Sequence, residues 1–220
     1  MRSREISKLI WVLAKSRKEQ AFCIAGKDVC SNEWVRLVSD ESGCALTAEQ
    51  AKVHYPDASV KDPWDVKVND LVRVNFKGPS PINGQAENWV IAEYVWTLCN
   101  HLKGKICVEK FFDCPESIWG EGSRIPDDCV DLQQKSLYLI NVTDFQIYHL
   151  NSGLNGKRKA RSRFVFNNII YSNIPVTDPN YYWEDDQFLG DVSLVVSLGQ
   201  EYDGYHYKIV AKIFKDGEIR

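Results

Sequence analysis

The sequence predicts a mainly β protein with minor α content, folded as two small β-barrels in one chain, and three observations lead there. Short β-branched or aromatic runs bounded by Gly, Asn, Asp or Ser recur in both halves. A Pro- and Gly-rich stretch, "KGPSPINGQ" (Lys77 to Gln85), separates the two series of runs. One segment alone, "AENWVIAEYVWTLCNHL" (Ala86 to Leu102), carries apolar residues near helical spacing. Several short strands with one helical insert suit small barrels.

The first series comprises "KLIWVLA" (Lys8 to Ala14), "AFCIAG" (Ala21 to Gly26), "EWVRLVS" (Glu33 to Ser39) and "DLVRVNF" (Asp70 to Phe76). A short helix is expected at Thr47 to Val53, within a segment otherwise rich in turn residues. In Ala86 to Leu102, Trp89, Ala92, Val95 or Trp96, and Cys99 predict an amphipathic helix of about four turns, ended by Gly104. The second series comprises "SLYLINVTDFQIYHL" (Ser136 to Leu150), "SRFVFNNIIYSNIPV" (Ser162 to Val176), "DVSLVVSLG" (Asp191 to Gly199) and "YHYKIVAKIF" (Tyr205 to Phe214). Within it Thr143-Asp144, Asn167-Asn168 and the Asp-Gly at 203 and 204 predict hairpin turns. The expected organisation is an N-terminal barrel over 1–84, a helical connector over 85–103 and a C-terminal barrel over 104–220.

A chain of 220 residues, 44% hydrophobic and 12% aromatic, can bury a real core. Its longest apolar run, "LIWVLA" (Leu9 to Ala14), is far short of a membrane span of about 20 residues, so no membrane partner is expected and the protein is assigned to the cytoplasm. Seven cysteines at irregular spacing point to free thiols rather than a disulfide framework. No CxxC, HxxH or HxxxH spacing occurs, so neither metal nor cofactor is implied. The net charge of −3 conceals two basic concentrations. Residues 1 to 18 hold Arg2, Arg4, Lys8, Lys15, Arg17 and Lys18 against Glu5, and Lys157, Arg158, Lys159, Arg161 and Arg163 fall within seven residues. Such a distribution argues against indiscriminate coating of nucleic acid but allows a localised anion-binding face; the alternative for each run is a solvated surface.

The order of landmarks resembles a known family. "LAKSRK" (Leu13 to Lys18), "CIAG" (Cys23 to Gly26), "EWVRLVS", "ENW" (Glu87 to Trp89), "SLYLI" (Ser136 to Ile140), "RFVF" (Arg163 to Phe166), "VTDP" (Val176 to Pro179), "SLG" (Ser197 to Gly199) and "YKIVAKI" (Tyr207 to Ile213) together resemble the bacterial dual OB domain-containing proteins. The resemblance implies two OB-like β-barrels, no established enzyme activity and no catalytic residues to carry over. It also implies a sensor or binding role, with some members encoded near conflict and mobile-element genes; a protein partner from a neighbouring gene is a further expectation.

OB barrels hold single-stranded nucleic acid with cations for the backbone and aromatic platforms for the bases. On that basis the leading expectation is a non-enzymatic module recognising nucleic acid or a nucleotide-derived ligand. Lys15, Arg17 and Lys18 form one candidate loop, Lys157, Arg158, Lys159, Arg161 and Arg163 a second, expected to be a mobile loop leading into a strand; Arg36 and Arg73 lie on strands. Trp34, Phe164 and Tyr171 are the candidate stacking rings, each with a core residue as its alternative reading. Glu184, Asp185 and Asp186 are candidates to neutralise the second loop. Two further readings stand beside this one. A protein-interaction adaptor would use the acidic balance and exposed strand edges. A Mg-dependent nuclease would use Asp57, Asp65 and Lys67, although Pro63 and the charges between the two carboxylates favour a loop. Thr177-Asp178-Pro179 reads as a structural cap.

Overall fold

The computed structural model describes residues 5–18, 20–56, 63–92, 95–102, 109–152, 157–181, 185–215 and 218–219, with the backbone alone at 18, 151, 152 and 157. The chain divides between Lys103 and Gly104 into two units, and both are β structures.

The first unit contains β1 (Ile6–Lys18), β2 (Ala21–Asp28), β3 (Trp34–Val38), β4 (Lys52–His54), β5 (Trp64–Asp65), β6 (Asp70–Pro79), β7 (Asn88–Ile91) and β8 (Val95–His101). The long β1 pairs antiparallel with both β2 and β6; β3 runs parallel to β7, and β7 antiparallel to β6. The ring β1-β2-β3-β7-β6 therefore closes on itself as the five-stranded barrel of an OB fold. Beyond β6 the sheet continues through β8, β4 and β5. Residues Ile6 to Trp11 of β1 pair with β6 and Ile10 to Lys18 with β2, and the strand bends where the β1–β2 register slips between Val12 and Ala14. Gly26 lies opposite Val12, and a Cβ there would stand 2.1 Å from the Trp11 carbonyl oxygen, so only glycine permits the close approach. Asp70, Val72, Val74 and Phe76 are buried at period two, and the last three line a core with Ile10, Val12, Ile24, Val35 and Leu37.

Three expectations are corrected here. Ala86 to Leu102 holds strands β7 and β8 rather than a helix. Its helical spacing is outweighed by β-favouring Trp, Val, Ile and Thr side chains and by ladder bonds to β3, β4 and β6. The Pro- and Gly-rich stretch lies inside the first unit, where it completes β6 and turns back through the Ile82–Gln85 bridge to β7. Thr47 to Val53 makes one isolated turn, Ala51 N–H to Thr47 C=O at 3.1 Å, before entering β4.

The second unit contains β9 (Arg124–Pro126), β10 (Leu137–Ser152), β11 (Lys157–Phe166), β12 (Ile169–Pro175), β13 (Gln187–Tyr202) and β14 (Tyr205–Phe214). Its order is β12-β11-β10-β13-β14-β9. The connectivity repeats that of the first barrel: β10 pairs with β11 and β13, and a parallel bridge from Val176, just after β12, reaches Val210 of β14. Among the described residues closure is thus a single bridge, and the sheet is a half-barrel. Asp178 secures it. Its buried carboxylate accepts from Lys212 Nζ at 2.8 Å, from Ile213 N–H at 3.0 Å and from Asn180 N–H at 3.1 Å, so the Thr-Asp-Pro stretch is structural.

Asn167 and Asn168 both have positive φ, as do Asp203 and Gly204, the signature of type I′ turns that match strand twist. Thr143-Asp144, expected to be a hairpin, is a bulge: Asp144 sits at φ 54, the register slips, and β10 runs on to Ser152. The segment between Glu116 and Ser123 packs Ile118 and Trp119 into the core. Tyr171 Oη accepts from Ile118 N–H at 2.9 Å and donates to Gly120 C=O at 3.1 Å, while Lys208 Nζ donates to the carbonyls of Gly120 at 2.7 Å and Glu121 at 3.0 Å. Among the described residues six cysteines are free, and no helix is long and apolar enough to cross a membrane.

Candidate nucleic-acid interface

The basic run expected as a mobile loop is strand β11. Along it Ala160, Ser162, Phe164 and Phe166 are buried, which places Lys159, Arg161, Arg163 and Val165 on the outer face at period two. Lys157 holds the preceding position of the same series. The loop reading failed because the inward residues at the start of β11 are Ala160 and Ser162 rather than β-branched or aromatic ones. Ser162 can occupy such a site because its hydroxyl donates to Ile174 C=O at 3.2 Å.

Register fixes what flanks this cationic column. In β10, Leu150 lies opposite Lys159, Tyr148 opposite Arg161 and Gln146 opposite Arg163. Gln146 also pairs with Phe188 of β13, while Arg161, Arg163 and Val165 lie opposite Pro175, Ser172 and Ile170 of β12. Directly paired residues share a face, so the outer sheet surface carries a file of cations between two apolar margins. Phe188 is 65% exposed, Ile170 55% and Leu150 46%. Tyr148 is held across the surface, its hydroxyl accepting from Asn173 N–H at 3.1 Å.

Within the described residues no carboxylate is within ion-pair distance of Lys159, Arg161 or Arg163. Arg158 points off the column and meets the exposed Asp185 at 3.8 Å. Asp186 instead accepts from His149 N–H at 2.9 Å and contacts His149 Nδ1 at 3.0 Å, and this hydrogen bonding holds its carboxyl below the usual range. Glu184 lies outside the described residues.

The other candidates do not gather. Lys15 donates to Val66 C=O at 2.9 Å and lies over the Phe22 ring at 4.4 Å; burial lowers its pKa. Arg17 is exposed near the end of β1, the side chain of Lys18 lies outside the described set, and Arg73 is exposed on β6. Arg36 and Trp34 are 9% and 8% exposed, and Lys27 Nζ lies 5.3 Å from the Trp34 ring. Phe164 and Tyr171 are core rings stacked on each other at 5.5 Å, which corrects their assignment as base platforms. The reason is register: both follow the inward phase of β11 and β12.

Phe188 is the ring that sequence reasoning missed. Its signal was faint, one aromatic set between the polar run Glu184-Asp185-Asp186-Gln187 and Gly190. For the nuclease reading, Asp57 lies outside the described residues, Asp65 is committed to Lys52 at 2.7 Å, which lowers its pKa, and Lys67 is exposed. Two clefts, of about 520 and 560 Å³, are lined by Asp40, Glu41 and Lys77 and by Glu109 and Asp191 respectively, and neither takes a residue from the cationic column.

The family model described as dual OB-containing domain matches residues 8–213. No curated protein and no solved structure matches the chain.

Proposed function

The chain belongs to the dual OB-containing domain family, and on that premise we propose that it is a cytoplasmic binding module whose second unit holds single-stranded nucleic acid across the outer face of β10, β11 and β12. The observation that carries this reading is the file of Lys159, Arg161 and Arg163 on one strand face, without carboxylate partners among the described residues and bordered by Phe188, Tyr148, Leu150 and Ile170. Cations two residues apart on a strand recur about every 6.6 Å, a spacing that lets successive side chains meet successive groups of an extended backbone. An exposed ring at the margin offers a stacking face worth about 1–3 kcal/mol per base without choosing among sequences. The face is open, which favours a polymer over a free nucleotide; small ligands favour concave pockets. Strands two and three of an OB barrel, the positions of β11 and β12 here, are the ordinary oligonucleotide surface of that fold. Among the described residues six cysteines are free and five of them exposed, which supports a reducing compartment.

Fluorescence anisotropy with a labelled single strand and its duplex tests the reading. The single strand binds more tightly, and Phe188→Ala weakens it by about 5- to 140-fold, the equivalent of one stacked base. Equal affinity for single strand and duplex, or an unchanged Phe188→Ala variant, defeats it.

A further inference from the structure

A second surface of the same unit has a different character. Tyr202 ends β13 and Tyr205 begins β14, directly opposite each other across the Asp203-Gly204 turn. Tyr207, two residues on, shares the face of Tyr205, and Arg124 of β9 lies opposite Tyr207. The Arg124 guanidinium stands 3.7 Å from the Tyr205 ring centroid and 5.8 Å from that of Tyr207, and its Nη1 donates to the Tyr207 hydroxyl at 3.0 Å. Tyr202 takes no part in that grip. Its ring lies 6.4 Å from Tyr207 and is 73% exposed, the most open large hydrophobic side chain among the described residues. Glu201, Asp203 and Asp128 are exposed at the same hairpin and at the end of β9.

We infer that this tyrosine hairpin is a docking site for an arginine-bearing segment of a protein partner. The cluster already holds one guanidinium by ring stacking plus a hydroxyl hydrogen bond, so its geometry suits that group. Tyr202 offers a further ring face, and the surrounding carboxylates attract cations and repel a polyanion. Arginine suits it better than lysine because a planar, weakly hydrated guanidinium stacks on rings and donates in several directions at once. Exposed tyrosines are also over-represented among residues that dominate protein interfaces. The site is chemically opposite to the β11 face, and the two stand or fall separately.

The test is isothermal titration of the whole chain at low salt with a short alternating Arg-Gly peptide, its Lys-Gly counterpart and single-stranded DNA. The Arg-Gly peptide binds; the Lys-Gly peptide binds several-fold more weakly. Tyr202→Ala lowers affinity for Arg-Gly by about tenfold, the range of one partly desolvated cation–π contact. Asp203→Asn keeps the turn and gives a smaller loss. Neither substitution changes the melting temperature, since both side chains are exposed, and neither changes DNA affinity. Equal binding of the two peptides, an unaltered Tyr202→Ala variant, or loss of DNA binding on Tyr202→Ala overturns the inference.

Discussion

Lys208 provides a stability test whose sign follows from geometry. The side chain is buried on β14, donates to the Gly120 and Glu121 carbonyls and lies 5.0 Å from the Tyr171 ring. Desolvation is the main cause that pushes its pKa from 10.5 to about 8, with Glu121 opposing weakly. Two carbonyls need two donors, and a neutral amine still has two N–H bonds, so deprotonation leaves the contacts intact while removing the cost of a buried charge. Between pH 8 and 10.5 the unfolded chain therefore binds a proton that the folded chain has released, and stability rises with pH at up to about 1.4 kcal/mol per pH unit. Below pH 8 both states are protonated and this dependence vanishes. Urea melts of the parent and of Lys208→Met from pH 7 to 9.5 isolate the effect, because other titrating groups cancel in the difference. The parent gains about 2 kcal/mol over the variant across that range. A difference that stays constant or narrows as pH rises would refute the reasoning.

Asp178→Ala leaves Lys212 as an uncompensated buried cation and orphans the Ile213 and Asn180 amides, so urea melts should show a loss of about 3–5 kcal/mol, with Lys212→Met costing less than Asp178→Ala. Gly26→Ala drives a methyl group into the Trp11 carbonyl and should destabilise the first unit by about 3 kcal/mol or more, seen as an earlier thermal transition. Gly204→Ala, in open space but at φ +75, costs only about 1 kcal/mol by the same assay.

Strands whose inward residues are large and apolar were legible from sequence: Val72, Val74 and Phe76 in β6, or Leu194, Val196 and Leu198 in β13, mark their phase without help. The Asn-Asn and Asp-Gly turns were legible too, because their residues tolerate positive φ. β7 and β8 were lost because Trp89, Ala92, Trp96 and Cys99 fall at helical intervals by coincidence, while the bonds that make them strands come from β3, β4 and β6, all outside the segment. The candidate face was half visible. The cations of 157–163 stood out, but their common orientation depends on Ala160 and Ser162 being inside, which only pairing with β10 and β12 decides. Local composition could not separate Phe164 and Tyr171 from Phe188, since an aromatic on a strand reads alike on either face.

The most direct test of the β11 face is the salt dependence of single-strand binding by the parent and by the Lys159→Glu, Arg161→Glu, Arg163→Glu variant. With about 0.7 counterions released per phosphate, contacts from three cations give the parent a log–log slope near −2. The variant is predicted to bind weakly with a nearly flat slope and to melt near the parental temperature, because Lys159 is exposed, Arg161 and Arg163 are only half-buried, and none of the three has an ion-pair partner among the described residues. A variant that retains parental affinity and slope would contradict a nucleic-acid role for the column, and one that fails to fold would show that these side chains serve the barrel itself.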